Sequence, residues 1–381
     1  MTLSRRKFLA LVGGGCVVAA GGALGQAVTR TPQAAALPWE MAGTYADPRM
    51  RALSWALLAP SPHNRQPWLA DLGTEGAVTL LADTERLLPH TDPYSRQITI
   101  GLGCFLEILR MAAAEEGWRT DLALFPDGED PAGLDGRPVA RVAFVADPGL
   151  ARDPLFAQVP HRRTLKEPYD TARPVPAAAL TAMAAVARAS QVGTTSDPGR
   201  VQAMRDISTE AFEIEFATPR TLKESVDLFR IGAREVDANP DGIDFSGPMF
   251  EALRVTRLFT RDASLNPDSM AGRSAMDMVT RNMQTGMAHL WQVTPGNSRS
   301  EQIRAGADWV RINLAATALG LGLQPLSQAL QEFPEMADLH RRVHGMLAPQ
   351  GGTVQMWARV GYGPQVAPSP RWPLETRVVN G

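Results

Sequence analysis

Residues 59–68 read Ala-Pro-Ser-Pro-His-Asn-Arg-Gln-Pro-Trp, and this stretch decides how the rest of the chain is interpreted. It follows a segment with helical spacing of apolar residues and precedes a strand-like one. Pro60 and Pro62 interrupt a regular helix and hold the backbone in a defined loop. Asn64 and Gln66 add a dense set of hydrogen-bond donors and acceptors. This density is typical of a loop that binds a flat polar ligand, and a plain connection does not need it.

Composition and charge limit the classes of protein to which the chain can belong. It has 381 residues, of which 44% are hydrophobic and 20% are charged, so it can bury a large core. The formal net charge of -2 gives no basic surface field, so no nucleic-acid partner is expected. The 6 histidines are scattered, and neither a metal-ligand cluster nor a Ser-His-Asp set is evident.

The N-terminal segment predicts export. Residues 4–10 read Ser-Arg-Arg-Lys-Phe-Leu-Ala and precede a Gly- and Ala-rich apolar stretch, a pattern typical of a twin-arginine signal peptide. We therefore assign residues 1–36 to a signal peptide and linker, and expect the twin-arginine export machinery as a partner and a periplasmic or otherwise exported location. The apolar stretch is too short and Gly-rich for a stable transmembrane helix, so no membrane span is expected in the mature chain. Residues 25–27 and 34–36 both fit the end of the leader, and an ordinary basic start of a cytosolic protein is the alternative.

Alternating helical and extended patterns predict an α+β fold in two units, residues 45–150 and residues 155–376. The first unit has predicted helices over 47–58 and 98–117 and predicted strands over 77–83, 120–125 and 139–145. The second has predicted helices over 177–189, 201–216 and 305–319, an extended run over 323–327 and a strand over 354–361. Residues 230–295 are predicted to form an insert in the second unit, with a turn at residues 239–244 and a Met-rich stretch after it.

The two long helices share a pattern. Residues 103–113 and 306–316 each begin with Gly and end in Ala-Ala, and a Gly stops each helix in the same register, at Gly117 and Gly320. We interpret the pair as a diverged tandem repeat. The alternative is two unrelated amphipathic helices.

These motifs carry a resemblance to a known family. Residues 59–68 resemble the A-P-S-x-x-N-x-Q-P-W loop of the FMN-dependent nitroreductases, and both long helices resemble the family's central helix G-x-x-x-x-N-L-x-L-A-A-x-x-x-G-L-G. Ile108 and Arg311 stand at the position of the family Asn. The tandem design resembles the Acg family of flavin proteins over most of the mature chain. The resemblance implies two tandem nitroreductase-like FMN-binding units that form an intramolecular pseudo-dimer, so that the chain can function as a monomer.

The resemblance also implies that one FMN site takes parts from both units. The loop of the first unit supplies Pro60, Ser61, His63, Asn64 and Gln66. The second unit supplies Arg162, Arg163, Thr164, Lys166, Gln324, Pro325, Leu326, Ser327 and Arg371. Guanidinium groups fit phosphate oxygens, and glycines beside residues 324–327 let the backbone approach the flavin ring. Taken singly, Arg162 and Arg163 are more typical of surface ion pairs, and Arg371 is more typical of a solvated tail.

A second complete set is missing from the sequence. The first unit opens with Arg49 and Arg51 but lacks the family's cationic strip, and the second unit has no copy of the A-P-S-x-x-N loop between residues 189 and 234. The sequence therefore predicts one FMN per chain and one degenerate site.

The resemblance implies an exported FMN-dependent oxidoreductase in which a small-molecule donor reduces the flavin and a nitroaromatic or quinone-like acceptor reoxidises it. The chemistry is the cofactor's, so no catalytic side chain is required. NAD(P)H is scarce outside the cytoplasmic membrane, which favours another donor. If the Met-rich insert forms a tight lid, FMN sequestration or storage with little reductase activity is the alternative, and an exported flavin-free scaffold is a third. An insert that only packs in the core is the other interpretation of this segment.

Overall fold

The computed structural model describes residues 31–381, so the predicted twin-arginine motif lies outside the described residues. The helices are α1 (Leu37–Met41), α2 (Pro48–Ala56), α3 (Arg96–Glu115), α4 (Ala177–Ala184), α5 (Pro198–Ala217), α6 (Pro219–Asp227), α7 (Ala233–Ala238), α8 (Pro248–Val255), α9 (Arg261–Ser264), α10 (Met270–Met283), α11 (Arg299–Ala318) and α12 (Ala337–Leu347). The strands are β1 (Trp68–Asp71), β2 (Ala77–Ala82), β3 (Trp118–Leu124), β4 (Pro138–Ala146), β5 (Gln191–Thr195), β6 (Phe229–Ile231), β7 (Ile243–Phe245), β8 (Ala288–Thr294), β9 (Gly322–Pro325), β10 (Thr353–Gly361) and β11 (Val378–Val379). The predicted α+β fold class is confirmed.

Two sheets have the same strand order. The first runs β11-β1-β2-β4-β3 and the second runs β5-β8-β10-β9. In both, the first four strands in chain order pair antiparallel, and a long helix, α3 or α11, connects the second strand to the third. β11 is an addition, since it brings the C-terminus back to pair with β1 in parallel. The two sheets with their helices are the repeated architecture that the sequence pattern predicts.

The helices α3 and α11 cross at unusually close range. A Cβ added at Gly103 would collide with the carbonyl oxygen of Ile303, and one added at Gly306 would collide with the carbonyl oxygen of Ile100. The contact is reciprocal, because each glycine meets the residue three positions before the other glycine. Cys104 adds a hydrogen bond from its Sγ to the Gly306 carbonyl, at 3.1 Å. The crossing therefore has the local two-fold character of a contact between equivalent helices.

Caps and glycines set the ends of both helices. The Asp92 carboxylate accepts hydrogen bonds from the backbone amides of Gln97 and Ile98, at 3.0 and 2.9 Å, in the first turn of α3. A reciprocal capping box between Ser298 and Glu301 starts α11. By length and composition α3 could cross a membrane, but 89% of its apolar window is buried inside the protein.

The glycines that the sequence singled out do terminate the two helices. Gly117 and Gly320 have φ of 73° and 69°, the left-handed conformation that stops a helix at low cost. Gly320 and Leu321 return hydrogen bonds to the carbonyls of Thr317 and Ala316, as in a Schellman motif. The predicted helix ends are thus confirmed by local backbone geometry.

Two predicted boundaries differ from the structure. The predicted insert ends too late, because residues 288–294 form β8, a strand buried along its whole length in the second sheet. A strand buried on both faces lacks the alternation that would have revealed it. The end of the predicted signal peptide and linker, residues 1–36, is part of the fold, since Ala35 is 1% exposed and α1 follows it. β11, which lies beyond the predicted end of the second unit at residue 376, joins the first sheet.

The glycine crossing predicts a sharp stability difference between two Gly→Ala variants. Gly306→Ala places a methyl group against the backbone of α3, which should lower the free energy of unfolding by about 3 kcal/mol or more. Gly345→Ala in α12 has open space around the added Cβ and should be neutral or stabilise by up to about 1 kcal/mol. Urea unfolding of both variants measures the difference. Equal stability of the two variants would contradict the close crossing.

Candidate functional site

The loop over residues 59–68 has an unusual backbone. His63, Asn64 and Gln66 have φ of 47°, 51° and 50°, a region that residues other than glycine seldom adopt. The Ser61 Oγ accepts a hydrogen bond from the Gln66 amide at 3.0 Å and closes the turn. Such strain persists only where surrounding contacts enforce it, and it concentrates at functional sites. The three residues that the sequence singled out are therefore held in one tight bend.

The polar side chains of this loop bind protein groups. Gln66 is fully buried, and its amide donates to the Pro240 carbonyl at 2.6 Å and accepts from the Trp372 backbone N–H at 2.9 Å. Asn64 donates to the Pro370 carbonyl at 3.1 Å. Gln66 thus ties the loop to two distant segments, and its amide is already engaged at both ends. The local sequence does not predict these hydrogen bonds of Gln66.

Arg371 comes from the C-terminal segment and inserts into the first unit. It is 1% exposed and donates hydrogen bonds to the carbonyls of Leu57 and Ala59, at 2.7 and 3.0 Å, and to the Asn64 Oδ1 at 2.8 Å. The carbonyls are those at the end of α2, where a helix leaves its last acceptors unpaired. Arg371 is therefore a buried residue, and the solvated-tail interpretation is wrong.

Arg162 and Arg163 lie against Arg371 and complete a guanidinium cluster. Arg162 is 3% exposed, and one of its Nη atoms donates to the Leu58 carbonyl at 3.3 Å. Burial lowers the pKa of Arg162 to about 10, and burial with the neighbouring Arg162 and Arg163 charges lowers the pKa of Arg371 to about 9. Surface ion pairing is thus not the role of Arg162, which lies inside the protein.

The guanidinium cluster, Arg162, Arg163 and Arg371, lacks a counter-ion in the part of the chain that the structure describes. The residues that shift the pKa of its members include no carboxylate. The Nε and Nη1 of Arg162 and the Nε of Arg163 are buried donors without a hydrogen-bond partner among residues 31–381. Buried charges are normally paired, and unpaired buried donors are costly. This arrangement has the chemistry of an anion site.

Trp39 forms one wall of the guanidinium cluster, a position that no sequence pattern predicts. Its ring lies 4.6 Å from the Arg163 guanidinium and 5.4 Å from that of Arg371. Its indole N–H donates to the Ser369 carbonyl at 2.8 Å. Cation–π contact stabilises guanidinium groups that are removed from water. The segment just after the predicted leader is therefore part of the site.

The cationic strip over residues 162–166 runs alongside β9. The Leu165 amide donates to the Leu323 carbonyl at 3.2 Å. Arg359, a fully buried residue that sequence reasoning missed, donates to the Lys166 carbonyl at 2.9 Å and to the Gln324 Oε1 at 2.6 Å. Arg359 thus fixes the strip and the predicted ring-edge segment relative to each other.

The remaining predicted residues belong to the loop, the strip and the end of β9. Thr164 is partly exposed within the strip, and Pro325 ends β9. Leu326 is 1% exposed and belongs to the core, while the Ser327 carbonyl accepts a hydrogen bond from Gln97 at 3.4 Å. Pro60 and Ser61 pack beside Gly101 of α3. The structure therefore brings the loop, the strip, residues 324–327 and Arg371 to the junction of the two units.

Lys166 and His63 mark where the loop faces the strip. Burial lowers the pKa of His63 to about 4, and the positive charges of Lys166 and Arg65 add to this shift. Burial by surrounding protein lowers the pKa of Lys166 as well, and Asp244 of β7 partly opposes this shift. His63 of the first unit and Lys166 of the second therefore lie near each other, across the space between the loop and the strip.

The segment between β5 and β8, residues 196–287, docks on this space. Asp241 is 4% exposed and binds three guanidinium groups, those of Arg65 and Arg86 at 2.8 Å and that of Arg230 at 2.7 Å. Asn282 at the end of α10 donates to the Lys166 carbonyl at 3.0 Å. The segment thus holds both the loop of the first unit and the strip of the second.

The corresponding position in the repeated architecture is filled differently. α4 precedes β5 as α2 precedes β1, and the carbonyl just after α4, that of Val186, accepts a hydrogen bond from Arg311 at 2.9 Å. Arg311 is paired, with its Nη1 at 3.0 Å from the Glu107 Oε1 and at 2.5 Å from the Asp153 Oδ2. The same two carboxylates also bind Arg188 and Arg110. Here the guanidinium groups are neutralised by acids of the chain itself.

A buried carboxyl lies behind the loop. Glu215 of α5 is 6% exposed, and burial raises its pKa to about 7. Its neighbours include Ser225, and the Ser225 Oγ lies 3.1 Å from the His63 Nε2. Ionisable groups with shifted pKa values concentrate at functional sites. No pattern in the local sequence around Glu215 predicts its burial or its raised pKa.

Comparisons with known proteins were made for the whole chain, and no family model matches it. The chain is 28% identical over 339 residues to a Mycobacterium tuberculosis protein provisionally named NAD(P)H nitroreductase Rv3131, and the alignment covers 85% of this chain and 91% of that protein. It is 25% identical over 338 residues to another M. tuberculosis protein, provisionally named NAD(P)H nitroreductase acg, and this alignment covers 84% of this chain and 90% of that protein. A provisionally named nitroreductase structure from Anabaena variabilis matches at 12% identity and a TM-score of 0.41, over 90% of this chain and 91% of that one.

Over most of its length, and most of theirs, the chain is thus similar to two proteins whose names describe NAD(P)H nitroreductases. The similarity to the protein named acg agrees with the motif resemblance. Each alignment includes nearly the full length of the relative.

The raised pKa of Glu215 makes stability depend on pH. Because the folded protein holds this proton more tightly than the unfolded chain does, the stabilisation is present at low pH and is lost as pH rises from about 4.5 to about 7. Relative to Glu215→Gln, the wild type should therefore lose roughly 3 kcal/mol of unfolding free energy over this range. Urea unfolding at several pH values measures the loss. Glu213→Gln, an exposed position of the same helix, should show no such trend, and parallel pH profiles for the wild type and Glu215→Gln would refute the buried carboxyl.

Proposed function

We propose that the chain is an exported FMN-binding oxidoreductase of the nitroreductase type that holds one flavin per chain. The observation that carries this proposal is the guanidinium cluster. Three arginines, two of them almost fully buried, converge without an acid among residues 31–381 and keep unpartnered donors directly beside the A-P-S-x-x-N loop. FMN ends in a phosphate monoester, and this phosphate supplies the charge and the acceptors that the cluster lacks.

The residues at the site fit this cofactor. Arg162, Arg163 and Arg371 would hold the phosphate, and Lys166 lies on the exposed side of the strip, where a cation stabilises negative charge on a reduced ring. When bound, the flavin supplies reversible two-electron chemistry. The protein binds and orients it: the strained loop shapes one side, and Arg359 holds residues 166 and 324 on the other.

The count of one site rests on the contrast between the two corresponding positions. Beside Leu58 the guanidinium groups lack acids, whereas beside Val186 the carboxylates of Glu107 and Asp153 already neutralise Arg311. A phosphate entering the second position would have to displace a buried ion pair, which is costly. We therefore propose a single complete flavin site assembled within a monomeric pseudo-dimer.

The proposed lid is the docked segment, residues 196–287. Its ionic anchor at Asp241 and its contacts with Gln66 and Lys166 support a cover over the flavin rather than an insert that only packs in the core. A cover that opens permits turnover with a small acceptor such as a quinone or nitroaromatic. A cover that stays closed makes the protein an FMN store, and the buried Asp241 anchor favours keeping this second candidate.

Export through the twin-arginine pathway remains part of the proposal, because this pathway carries folded proteins that have loaded a cofactor. Of the two candidate leader ends, residues 25–27 fit better. Ala35 accepts a hydrogen bond from the Arg371 amide at 2.9 Å and donates one to Asp237 at 3.1 Å, and cleavage at residues 34–36 would disturb both. The relatives' names specify NAD(P)H, whereas an exported site needs a donor that is present outside the cytoplasm.

The phosphate assignment predicts the behaviour of a matched pair of arginine variants. Arg163→Ala removes a cation of the uncompensated cluster and should weaken FMN binding about tenfold to a hundredfold, as expected for a lost charged hydrogen bond. Arg188→Ala removes a cation of the acid-paired cluster and should leave FMN affinity unchanged. Calorimetric titration of flavin-free protein measures both, together with a stoichiometry of one. Two FMN per chain, or equal loss in both variants, would contradict the proposal.

The lid predicts that FMN release depends on Asp241. Asp241→Asn removes the charge shared by Arg65, Arg86 and Arg230, so bound flavin should dissociate at least about tenfold faster. Asp277→Asn changes an exposed carboxylate of the same segment and serves as the control. Dissociation is followed by the return of flavin fluorescence on dilution. A similar rate in both variants would show that this segment does not retain the cofactor.

Measurement of turnover distinguishes a reductase from an FMN-storage protein. Bound flavin reduced by dithionite in the absence of oxygen should be reoxidised by a quinone or nitroaromatic faster than by air. Reoxidation by every acceptor more slowly than by oxygen would favour storage.

A further inference from the structure

Glu215 is a buried carboxyl that the proposed binding site does not use. It lies on α5 with 6% exposure, and its Oε2 has no hydrogen-bond partner among the described residues. A carboxyl that served only to stabilise the fold would be expected to have its oxygens satisfied. An unsatisfied buried oxygen is a position that a proton can occupy and leave.

Polar side chains connect Glu215 to the flavin-site loop. Ser225, Gln328 and Gln331 are polar neighbours of its carboxyl. The Ser225 Oγ is in turn 3.1 Å from the Nε2 of His63, a residue of the strained loop. A hydroxyl accepts one proton while it donates another, so Ser225 can pass a proton between Glu215 and His63 when the carboxyl forms a hydrogen bond with it.

Glu215 also lies near an open cavity. Its neighbour Gln331 lines this cavity of about 600 Å³, together with Tyr94, His340 and His344. Gln331 is 3% exposed, and its Oε1 is a buried acceptor without a partner in the described part of the chain. The side chain of Gln331 thus lies between the buried carboxyl and the cavity.

The surrounding charges favour the protonated carboxyl and disfavour a cation on His63. Glu224 of α6 is the acid that acts on Glu215, and it raises the pKa. Lys166 and Arg65 act on His63 and keep it neutral. Arg220, at the edge of the cavity, is paired with Glu335. A neutral imidazole relays a proton by accepting it at one nitrogen and releasing it at the other.

We propose that Glu215 stores one of the two protons of the two-electron cycle and exchanges it with the flavin site through Ser225 and His63. Reduction of a quinone to a quinol takes two electrons and two protons. In this proposal, one proton is carried with the electrons, and the second leaves Glu215 as its O–H bond breaks and the quinol O–H forms. The carboxylate is protonated again when the site is next reduced, because the added negative charge favours a proton on Glu215, and water in the cavity supplies that proton. This inference rests on the proposed flavin function. Glu215 acts as a positioning residue for the proton and does not touch the acceptor.

Proton counting on the flavin-loaded chain tests the proposal. When dithionite reduces the bound flavin anaerobically above the pKa of Glu215, the wild type should take up close to one more proton per flavin than Glu215→Gln does. A pH indicator, corrected for the protons released by dithionite itself, measures the uptake. Glu213→Gln, the exposed control on the same helix, should match the wild type. Ser225→Ala should keep the proton count but slow the uptake, because the store remains and its connection is lost.

A measurement without flavin keeps this proposal distinct from the proposed function. In flavin-free wild type, infrared difference spectra should show a protonated carboxylic acid band that disappears as pH rises through about 7 and is absent from Glu215→Gln. Burial raises the pKa of Asp92 to about 6, so its band should remain in the variant. If the band is missing, or if flavin-loaded Glu215→Gln takes up as many protons as the wild type, the proposal is overturned. A wild type that binds no FMN would instead contradict the proposed function, and this inference with it.

Discussion

The close approach of α3 and α11 is the constraint on which the site depends. Two glycines at the crossing, Gly103 and Gly306, leave each helix backbone in contact with the other, and any side chain there would separate them. The crossing fixes the two sheets relative to each other. As a result, the loop after α2 faces the strip over residues 162–166, although the two are distant in sequence. A site shared between two units requires this fixed junction, since a small shift would part the donors that converge on one ligand.

The guanidinium cluster shows how that junction is used. Burying Arg162 and Arg371 beside each other is unfavourable, and carbonyl oxygens offset only part of this cost. The chain keeps the arrangement at one position and neutralises the corresponding position with Glu107 and Asp153. This difference between two otherwise similar positions explains why a duplicated fold would bind one anion. The proposed lid, anchored through Asp241, would cover the side where solvent otherwise screens these charges.

Much of the fold could be predicted because its signals are local. Helical periodicity, stop glycines at residues 117 and 320 and the loop motif at residues 59–68 depend on neighbouring residues, and the structure confirms the helices and most of the strands. The failures are long-range. The Gln66 amide binds the Pro240 carbonyl, Trp39 covers arginines of both the strip and the tail, and β11 pairs with β1. No periodicity encodes such contacts. The buried position of Glu215 was not predicted for the same reason, because its burial results from packing between elements that are far apart in the chain.

The central claim is that the uncompensated arginines bind the phosphate of a single flavin. The most direct measurement compares FMN with riboflavin, which lacks the phosphate, by calorimetric titration of the flavin-free chain. The account predicts one FMN per chain and riboflavin affinity that is lower by about a hundredfold or more, as expected when charged hydrogen bonds are lost. Equal affinity for the two flavins would show that the guanidinium cluster is not the phosphate site and would contradict the account.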